Sequence, residues 1–139
     1  MGVKFRSLVN GKVTGVRFYK AAGSTGTHIG HLWSTAGTDL ANVSFTNETA
    51  SGWQDATFSS PVAITAGTTY VVSYFAPNGG YGYTANYFGS AGITSQYLTA
   101  LATGVDGNNG IFNQSGSDAF PSSAFGPTNY WVDVNFAIF

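Results

Sequence analysis

Residues 2–20 read GVKFRSLVNGKVTGVRFYK, two alternating runs on either side of an Asn-Gly pair. Strict alternation of apolar and polar residues is typical of strands that bury one face. Asn10-Gly11 favours a two-residue type I′ turn, because both central positions of that turn need a positive φ. The pattern predicts a β-hairpin in which residues 2–9 pair with residues 12–20.

This hairpin register predicts the first core residues. With Asn10-Gly11 as the loop, Lys4 lies opposite Arg17 on the outer face. A like-charge pair across two strands is unfavourable, so we expect a carboxylate nearby. The inner face then carries four apolar side chains: Val3, Phe5, Val16 and Phe18.

The rest of the chain continues as short strands separated by Gly, Ser, Thr, Asn and Pro turns. Residues 98–102 form at most a short helical turn, and residues 77–128 read as long loops with short strands. Loops of that length are often functional. The predicted class is all-β: an antiparallel β-sandwich, jelly-roll-like, of about eight strands. The further strands are Thr27–Ser34, Asp39–Thr46, Gly52–Phe58, Val62–Thr65, Thr68–Ala76 and Tyr130–Ile138.

Composition indicates one extracellular domain. The chain has 139 residues, of which 8% are charged and 16% aromatic, with 19 glycines and no cysteine. This mixture is common in extracellular all-β modules. The net charge of −1 argues against nucleic-acid binding, and no apolar run is long enough for membrane insertion. We expect residues 1–139 to be a single module excised from a larger multidomain secreted protein.

All five basic residues fall within the first 20 positions, and every acidic residue follows them. We expect these long side chains to line a solvent face near the later carboxylates. The alternative is a basic edge that meets a partner.

Several ordered blocks resemble a known family: residues 2–7 (GVKFRS), 15–20 (GVRFYK), 26–34 (GTHIGHLWS), 45–54 (FTNETASGWQ) and 129–134 (NYWVDV). They resemble the bacterial domain of unknown function 4082. The resemblance implies an extracellular or cell-surface accessory module beside immunoglobulin-like, adhesin-like and carbohydrate-active domains, which would be its neighbours. It implies no known catalytic residues.

His28 and His31 invite a metal-binding interpretation. On a strand, however, these two positions point to opposite faces, and no cysteine completes a tetrahedral site. We therefore expect one histidine to be hydrogen-bonded near the core and the other to face solvent.

Catalysis by paired carboxylates finds little support. Most of the six acidic residues lie in or beside turns, and Asp133, in a strand, is best explained as an ion-pair partner for the basic hairpin. No Gly-x-Ser-x-Gly elbow or phosphate loop occurs, so we expect no enzymatic activity. The six are Asp39, Glu48, Asp55, Asp106, Asp118 and Asp133.

Residues 106–110 (DGNNG) are rich in oxygen ligands but lack the closing Glu of a calcium-binding loop, and they suit tight turns equally well. No cofactor is predicted. The sequence leaves open whether this loop or another binds a structural calcium ion.

Aromatic residues suggest the binding chemistry. Flat aromatic faces with nearby amides and carboxylates suit a polysaccharide or other glycan at little net charge. Tyr81, Tyr83, Tyr87 and Asn86 cluster in the irregular segment, and Trp53 begins a strand. Trp53 and Trp33, which precedes a turn, are second candidates, although a tryptophan in a small sandwich is expected to serve the core. We therefore predict a monomeric, non-catalytic carbohydrate-binding accessory module. The alternative is a structural or adhesive spacer domain of a large cell-surface protein, in which these aromatics are buried.

Overall fold

The computed structural model describes all 139 residues as a β-sandwich of two antiparallel sheets. The predicted class is confirmed, with nine strands. The six-stranded sheet has the order β4-β3-β6-β1-β8-β7 and the three-stranded sheet the order β5-β2-β9. The strands are β1 Gly2–Ser7, β2 Gly11–Lys20, β3 Ile29–Ser34, β4 Asp39–Ser44, β5 Gly52–Ile64, β6 Tyr70–Phe75, β7 Ile93–Ser95, β8 Leu98–Ala100 and β9 Val132–Ile138.

The predicted hairpin between β1 and β2 is wrong. β1 pairs with β6 and β8, whereas β2 pairs with β5 and β9 in the opposite sheet. Residues 8–10 therefore cross between the sheets, and Asn10 Oδ1 accepts a hydrogen bond from Ala66 N at 2.9 Å. Alternation specifies that each strand has an apolar face, but two such strands can pair edge to edge or pack face to face.

The four predicted core residues are nevertheless all buried, because β1 and β2 turn their inner faces toward the same core from opposite sheets. Phe18 anchors this core. Its ring stacks on Tyr74 at a centroid distance of 4.3 Å and meets the edge of Phe45 at 4.8 Å. Trp33 lies on the other side of the six-stranded sheet, where it packs in a second buried cluster with Val71 and Ile111. The expectation that Trp33 serves packing is confirmed.

Two other local predictions need correction. The predicted strands 52–58 and 62–65 merge into one long strand, β5, which ends at Ile64 and whose register against β2 shifts between Val13 and Gly15. Residues 98–100 form β8 rather than a helical turn, because they pair with β1 and β7. The remainder of the 77–128 segment consists of loops, as predicted, with only β7 and isolated bridges. The fold has no helix with the length and apolarity needed to cross a membrane.

Candidate functional site

The outer face of the three-stranded sheet carries an ordered set of aromatic and polar side chains. Arg17 on β2 lies between Asp55 on β5 and Asp133 on β9. Tyr19, two residues along β2, lies opposite Trp53 on β5. Because side chains on a strand alternate between its faces, these residues project on the side opposite the buried Phe18. We call the set Tyr19, Trp53, Arg17, Asp55, Asp133 and Asn135 the outer sheet face.

Arg17 connects the charged and aromatic rows of the outer sheet face. Its Nη2 lies 3.2 Å from Asp133 Oδ2, and its guanidinium carbon lies 4.6 Å from the centroid of the Trp53 ring. The Trp53 and Tyr19 rings meet edge to face at 5.6 Å. Trp53 nevertheless remains 44% exposed and Tyr19 45% exposed. The prediction that Asp133 pairs with a basic residue of the first strands is confirmed.

Gly15 shapes the next row of the outer sheet face. It lies between Thr57 and Asn135, and it presents no side chain. Asn135 Nδ2 therefore reaches across β2 and donates a hydrogen bond to Asp55 Oδ1 at 2.9 Å. A Cβ at position 15 would overlap the carbonyl oxygen of Ala56, so the local backbone requires glycine. Polar groups on β5 and β9 are thus held in fixed positions on both sides of β2.

Tyr81 and Tyr83 form a separate patch on the loop before β7. Their ring centroids lie 6.0 Å apart, and Tyr81 packs edge to face on Tyr130 at 5.7 Å. A bridge between Thr84 and Asn129 fixes this loop to the segment that leads into β9. Tyr81 is 47% exposed and Tyr83 63% exposed. Their rings are tilted by 50°, so the two do not form a single flat platform.

Tyr87 and Asn86 form the third location among the predicted site residues. Tyr87 is half-buried and packs edge to face against Trp131 at 5.1 Å. Asn86 is exposed, has a φ of 59°, and accepts a hydrogen bond from Gly89 N, which indicates a turn residue. The structure therefore distributes Trp53, the Tyr81–Tyr83 pair and Tyr87 over three places at the same end of the sandwich.

Tyr19 and Trp131 were not predicted as site residues. Trp131 Nε1 donates a hydrogen bond to Thr84 Oγ1 at 3.0 Å, and the Trp131 carbonyl oxygen accepts one from Tyr19 N at 2.9 Å. Tyr19 shares the parity of Arg17 along β2, so alternation alone could have placed it on the outer sheet face. No local signal marks Trp131, because its φ of 55° breaks the strand pattern.

A cleft of about 360 Å³ opens between the sheets beside β9. Its depth is apolar and includes Val3, Phe5 and Val72, whereas Trp131 and Asp133 also line it. The cleft lies where the three-stranded sheet ends and the six-stranded sheet continues through β8 and β7. Its position thus follows from the unequal widths of the two sheets.

His28 belongs to a buried polar network. Ser24 Oγ lies 2.8 Å from His28 Nε2, and His28 Nδ1 lies 2.7 Å from Glu48 Oε1. Lys20 Nζ lies 3.2 Å from the same Glu48 oxygen. The order Ser-His-Glu resembles a hydrolase triad, but Ser24 is 3% exposed and its Oγ faces the carbonyl oxygens of residues 79–80. Acyl transfer needs N–H donors there, so we assign this network a structural role.

His31 points to the opposite side of β3, as predicted for strand alternation. Its Nδ1 lies 3.1 Å from Asp39 Oδ2, its Nε2 lies 2.8 Å from Asp118 Oδ1, and its ring stacks on Trp33 at 4.6 Å. The expectation that one histidine faces solvent is wrong, since both are buried. The loop that carries Asp118 folds over His31, and sequence spacing could not show this contact.

The oxygen-rich loop 106–110 meets a side-chain cation. Lys4 Nζ donates a hydrogen bond to the Asp106 carbonyl oxygen at 2.6 Å, and Arg6 Nη2 lies 3.6 Å from the Asp106 carboxylate. A hydrogen bond from Thr69, followed by Lys4 and Arg6, lowers the pKa of Asp106 below its ordinary value of 3.8. The main oxygen groups of this loop are thus matched to protein donors.

Arg6, Arg17 and Lys20 of the first two strands meet later carboxylates, as expected. Lys4 and Arg17 are not cross-strand neighbours, so the predicted like-charge pair does not form. Lys20 does not line a solvent face: it is buried against Glu48. Basic residues of both sheets are therefore paired with acids from later parts of the chain.

Comparison with known proteins gives a family and no closer relative. Searches of curated proteins and of solved structures find no significant match. The family model described as Domain of unknown function (DUF4082) matches residues 1–132, which is nearly the whole sandwich. This chain is therefore a member of the DUF4082 family.

Proposed function

We propose that this domain is a non-catalytic carbohydrate-binding module and that the outer sheet face holds the glycan. The observation that carries the proposal is the exposure of Trp53 and Tyr19 on regular strands. Large aromatic side chains in a small sandwich are normally buried, so two neighbouring exposed rings on a sheet are unusual. Here they lie beside a prearranged set of hydrogen-bonding groups.

The chemistry of the outer sheet face suits a sugar with many hydroxyl groups. An aromatic ring packs on the C–H surface of a sugar, and the carboxylates and amide beside it can bond its hydroxyls. Arg17 is countered by Asp133, and Asp55 is held by Asn135. This charge balance favours an uncharged polysaccharide over a polyanion.

The position of these groups on strands also supports the proposal. Strands hold side chains more precisely than loops do, which lowers the ordering cost of binding. The exposed tyrosines Tyr81 and Tyr83 lie at the same end of the sandwich and provide a second contact area for a longer chain. We place such a module outside the cell, as an accessory to a larger secreted or surface-attached protein.

The test is retention on a panel of insoluble and soluble polysaccharides, with and without calcium. We expect Trp53→Ala to weaken binding to the retained glycan about tenfold, the size of effect typical of an aromatic hot spot. Phe125→Ala is the matched control, because Phe125 is 90% exposed on a loop outside the outer sheet face. Equal binding by both variants would contradict the assignment of the site to this face.

A structural or adhesive spacer is the second candidate. It is supported by the burial of other aromatics of the long loops and their surroundings, since Phe88 and Tyr130 both serve packing. For a spacer we expect no retention across the panel, and a loss of thermal stability in Tyr83→Ala without a change in retention. For a binding module we expect Tyr83→Ala to weaken retention and leave thermal stability unchanged. Affinity electrophoresis of Trp53→Ala and Tyr83→Ala on each soluble glycan compares their retention with that of wild type and separates the two candidates.

A further inference from the structure

The cleft beside β9 is an apolar space that reaches into the core. Its volume of about 360 Å³ lies within the range of small-molecule sites in proteins, about 300–1,000 Å³. The floor consists of Val3 and Phe5 on β1 and Val72 on β6, all of which are core residues. An apolar group that enters the cleft therefore leaves water and contacts core side chains directly.

The walls of the cleft suit a flat ring. Val132 and Val134 on β9 form one wall, and side chains of β7 and β8 in the other sheet form the wall across from it. Tyr87 and Phe88 also line the cleft, and their rings meet edge to face at 5.2 Å. Aromatic pairs gain stability beyond the burial of apolar area. Because Phe5 adds a third ring, the lining favours an aromatic ligand over an aliphatic one.

The mouth of the cleft carries no unpaired charge. Arg17 and Asp133 line it with side chains that are about half exposed, and they pair with each other at 3.2 Å. The buried Asn129 also lines the cleft. Its Oδ1 accepts a hydrogen bond from Trp131 N at 2.7 Å, whereas its Nδ2 has no acceptor within the protein. The mouth therefore offers a free donor and suits an uncharged group with a carbonyl oxygen, such as an ester.

Trp131 is held at this mouth in an unusual backbone conformation. Its φ of 55° is rare for a bulky side chain. Besides the bond to Asn129, its carbonyl oxygen accepts a hydrogen bond from Tyr19 N at 2.9 Å, and its Nε1 donates to Thr84 Oγ1 at 3.0 Å. Strained residues persist only where their surroundings fix them, and they cluster at binding sites. The fixed position of Trp131 thus supports a site at the mouth of the cleft.

The cleft is continuous with the outer sheet face through Arg17. The Arg17 side chain lines the cleft, and its guanidinium carbon lies 4.6 Å from the centroid of the Trp53 ring. We propose that the cleft beside β9 binds an aromatic acyl group that is ester-linked to the glycan on the outer sheet face. This inference rests on the proposed function, because the acyl group reaches the cleft as a substituent of that glycan.

The first test uses methyl cinnamate, an uncharged aromatic ester, and does not require that any glycan bind. In an NMR titration of the full chain, the methyl signals of Val3, Val72 and Val134 should shift with a Kd of about 1 mM or lower. The ligand ring protons should give nuclear Overhauser effects to the same methyl groups. Val13 is the internal control, because it is buried in the core but does not line the cleft.

Absence of these shifts up to about 2 mM ligand, or shifts that leave Val3 and Val72 unaffected, overturns the proposal. A size series at Val134 makes the same test by substitution. Val134→Phe should fill the cleft and raise the Kd for methyl cinnamate at least about tenfold. Val134→Ala is the matched control, because it leaves the cleft open and should still bind. Equal affinity of the folded Phe and Ala variants would also overturn the proposal.

The second test compares feruloylated arabinoxylan with the same polysaccharide after alkaline removal of its esters. Wild type should bind the esterified form about tenfold more tightly. Val134→Phe should abolish this preference and still bind the de-esterified form, whereas Trp53→Ala should weaken binding to both. Equal binding of the two forms by wild type overturns the proposal. If methyl cinnamate binds but neither polysaccharide is retained, the proposed function fails while the assignment of the cleft to an aromatic ester stands.

Discussion

A single asparagine shows how much one side chain contributes to this fold. The Asn109 side chain is fully buried near the end of the 106–110 loop. Its amide bonds the N–H and C=O of Lys4 on β1, as a neighbouring strand would. Its Oδ1 accepts hydrogen bonds from Lys4 N at 2.8 Å and Gly110 N at 2.7 Å. Its Nδ2 donates to the carbonyl oxygens of Lys4 and Leu101 at 3.0 and 2.7 Å. One amide thus joins β1 to two parts of the long loop.

Asn109→Ala should lower the free energy of unfolding by about 3 kcal/mol, because it leaves several buried backbone groups without partners. Asn108→Ala is the matched control: Asn108 is the preceding residue and is exposed, so its loss should change stability by less than about 0.5 kcal/mol. Urea unfolding of both variants measures the difference. Equal urea midpoints for the two variants would show that the hydrogen bonds of Asn109 make no net contribution to the free energy of unfolding.

At the scale of the element, β2 organises the candidate site. It is the central strand of its sheet and supplies Arg17 and Tyr19 to the outer sheet face and Phe18 to the core. The register shift between Val13 and Gly15 changes the phase of this alternation, because Val13 is buried before the shift and Val16 and Phe18 are buried after it. Such bulges re-aim side chains, and they depend on a small residue at the point of closest approach.

Gly15→Ala should destabilise the domain by about 2 kcal/mol, because the new Cβ overlaps the Ala56 carbonyl oxygen and the backbone must shift. Gly82→Ala offers the control, since a Cβ at Gly82 meets nothing within 4 Å. Thermal unfolding followed by circular dichroism compares the two. If Gly15→Ala unfolds at the same temperature as wild type, then the backbone at position 15 does not require glycine.

At the scale of the whole molecule, ion pairs and hydrogen bonds connect the first strands to parts of the chain about a hundred residues away. Lys4 and Arg6 contact Asp106, and Arg17 contacts Asp133. The folded state lowers the pKa of Asp106, so this carboxylate stabilises the fold when it is ionised. That contribution is present above pH 3.8 and is lost as the pH falls through the lower pKa of the folded state.

Thr69→Val should raise the pKa of Asp106, because the Thr69 hydroxyl is the largest cause of its lowering. The substitution also removes the acceptor of the Arg6 Nε hydrogen bond at 2.8 Å. The variant should therefore lose less stability than wild type on acidification from about pH 7 to about pH 3. An NMR titration of the Asp106 carboxyl carbon measures the pKa. Thr68→Val is the control, because Thr68 is the exposed neighbour of Thr69. In this variant the Asp106 carboxyl should titrate as it does in wild type.

Much of the fold could be predicted from sequence because the signals are local. Period-two alternation and turn residues predicted the all-β class, most strand positions and the buried face of each early strand. The candidate site was predicted less well. Trp53 was identified, but its partners Tyr19, Asp55 and Asn135 were not, because they come from three strands whose adjacency has no local signal.

The sequence by itself determined which side of each strand is apolar, since that property depends only on alternation within the strand. Only the tertiary structure decided that β1 and β2 lie in opposite sheets instead of pairing. Pairing depends on which edges are free once β6, β8, β5 and β9 have taken their places. The same competition for edges placed Arg17 between Asp55 and Asp133, left Trp53 exposed and left β9 without a second neighbour, because hydrogen bonding between strands is a non-local choice.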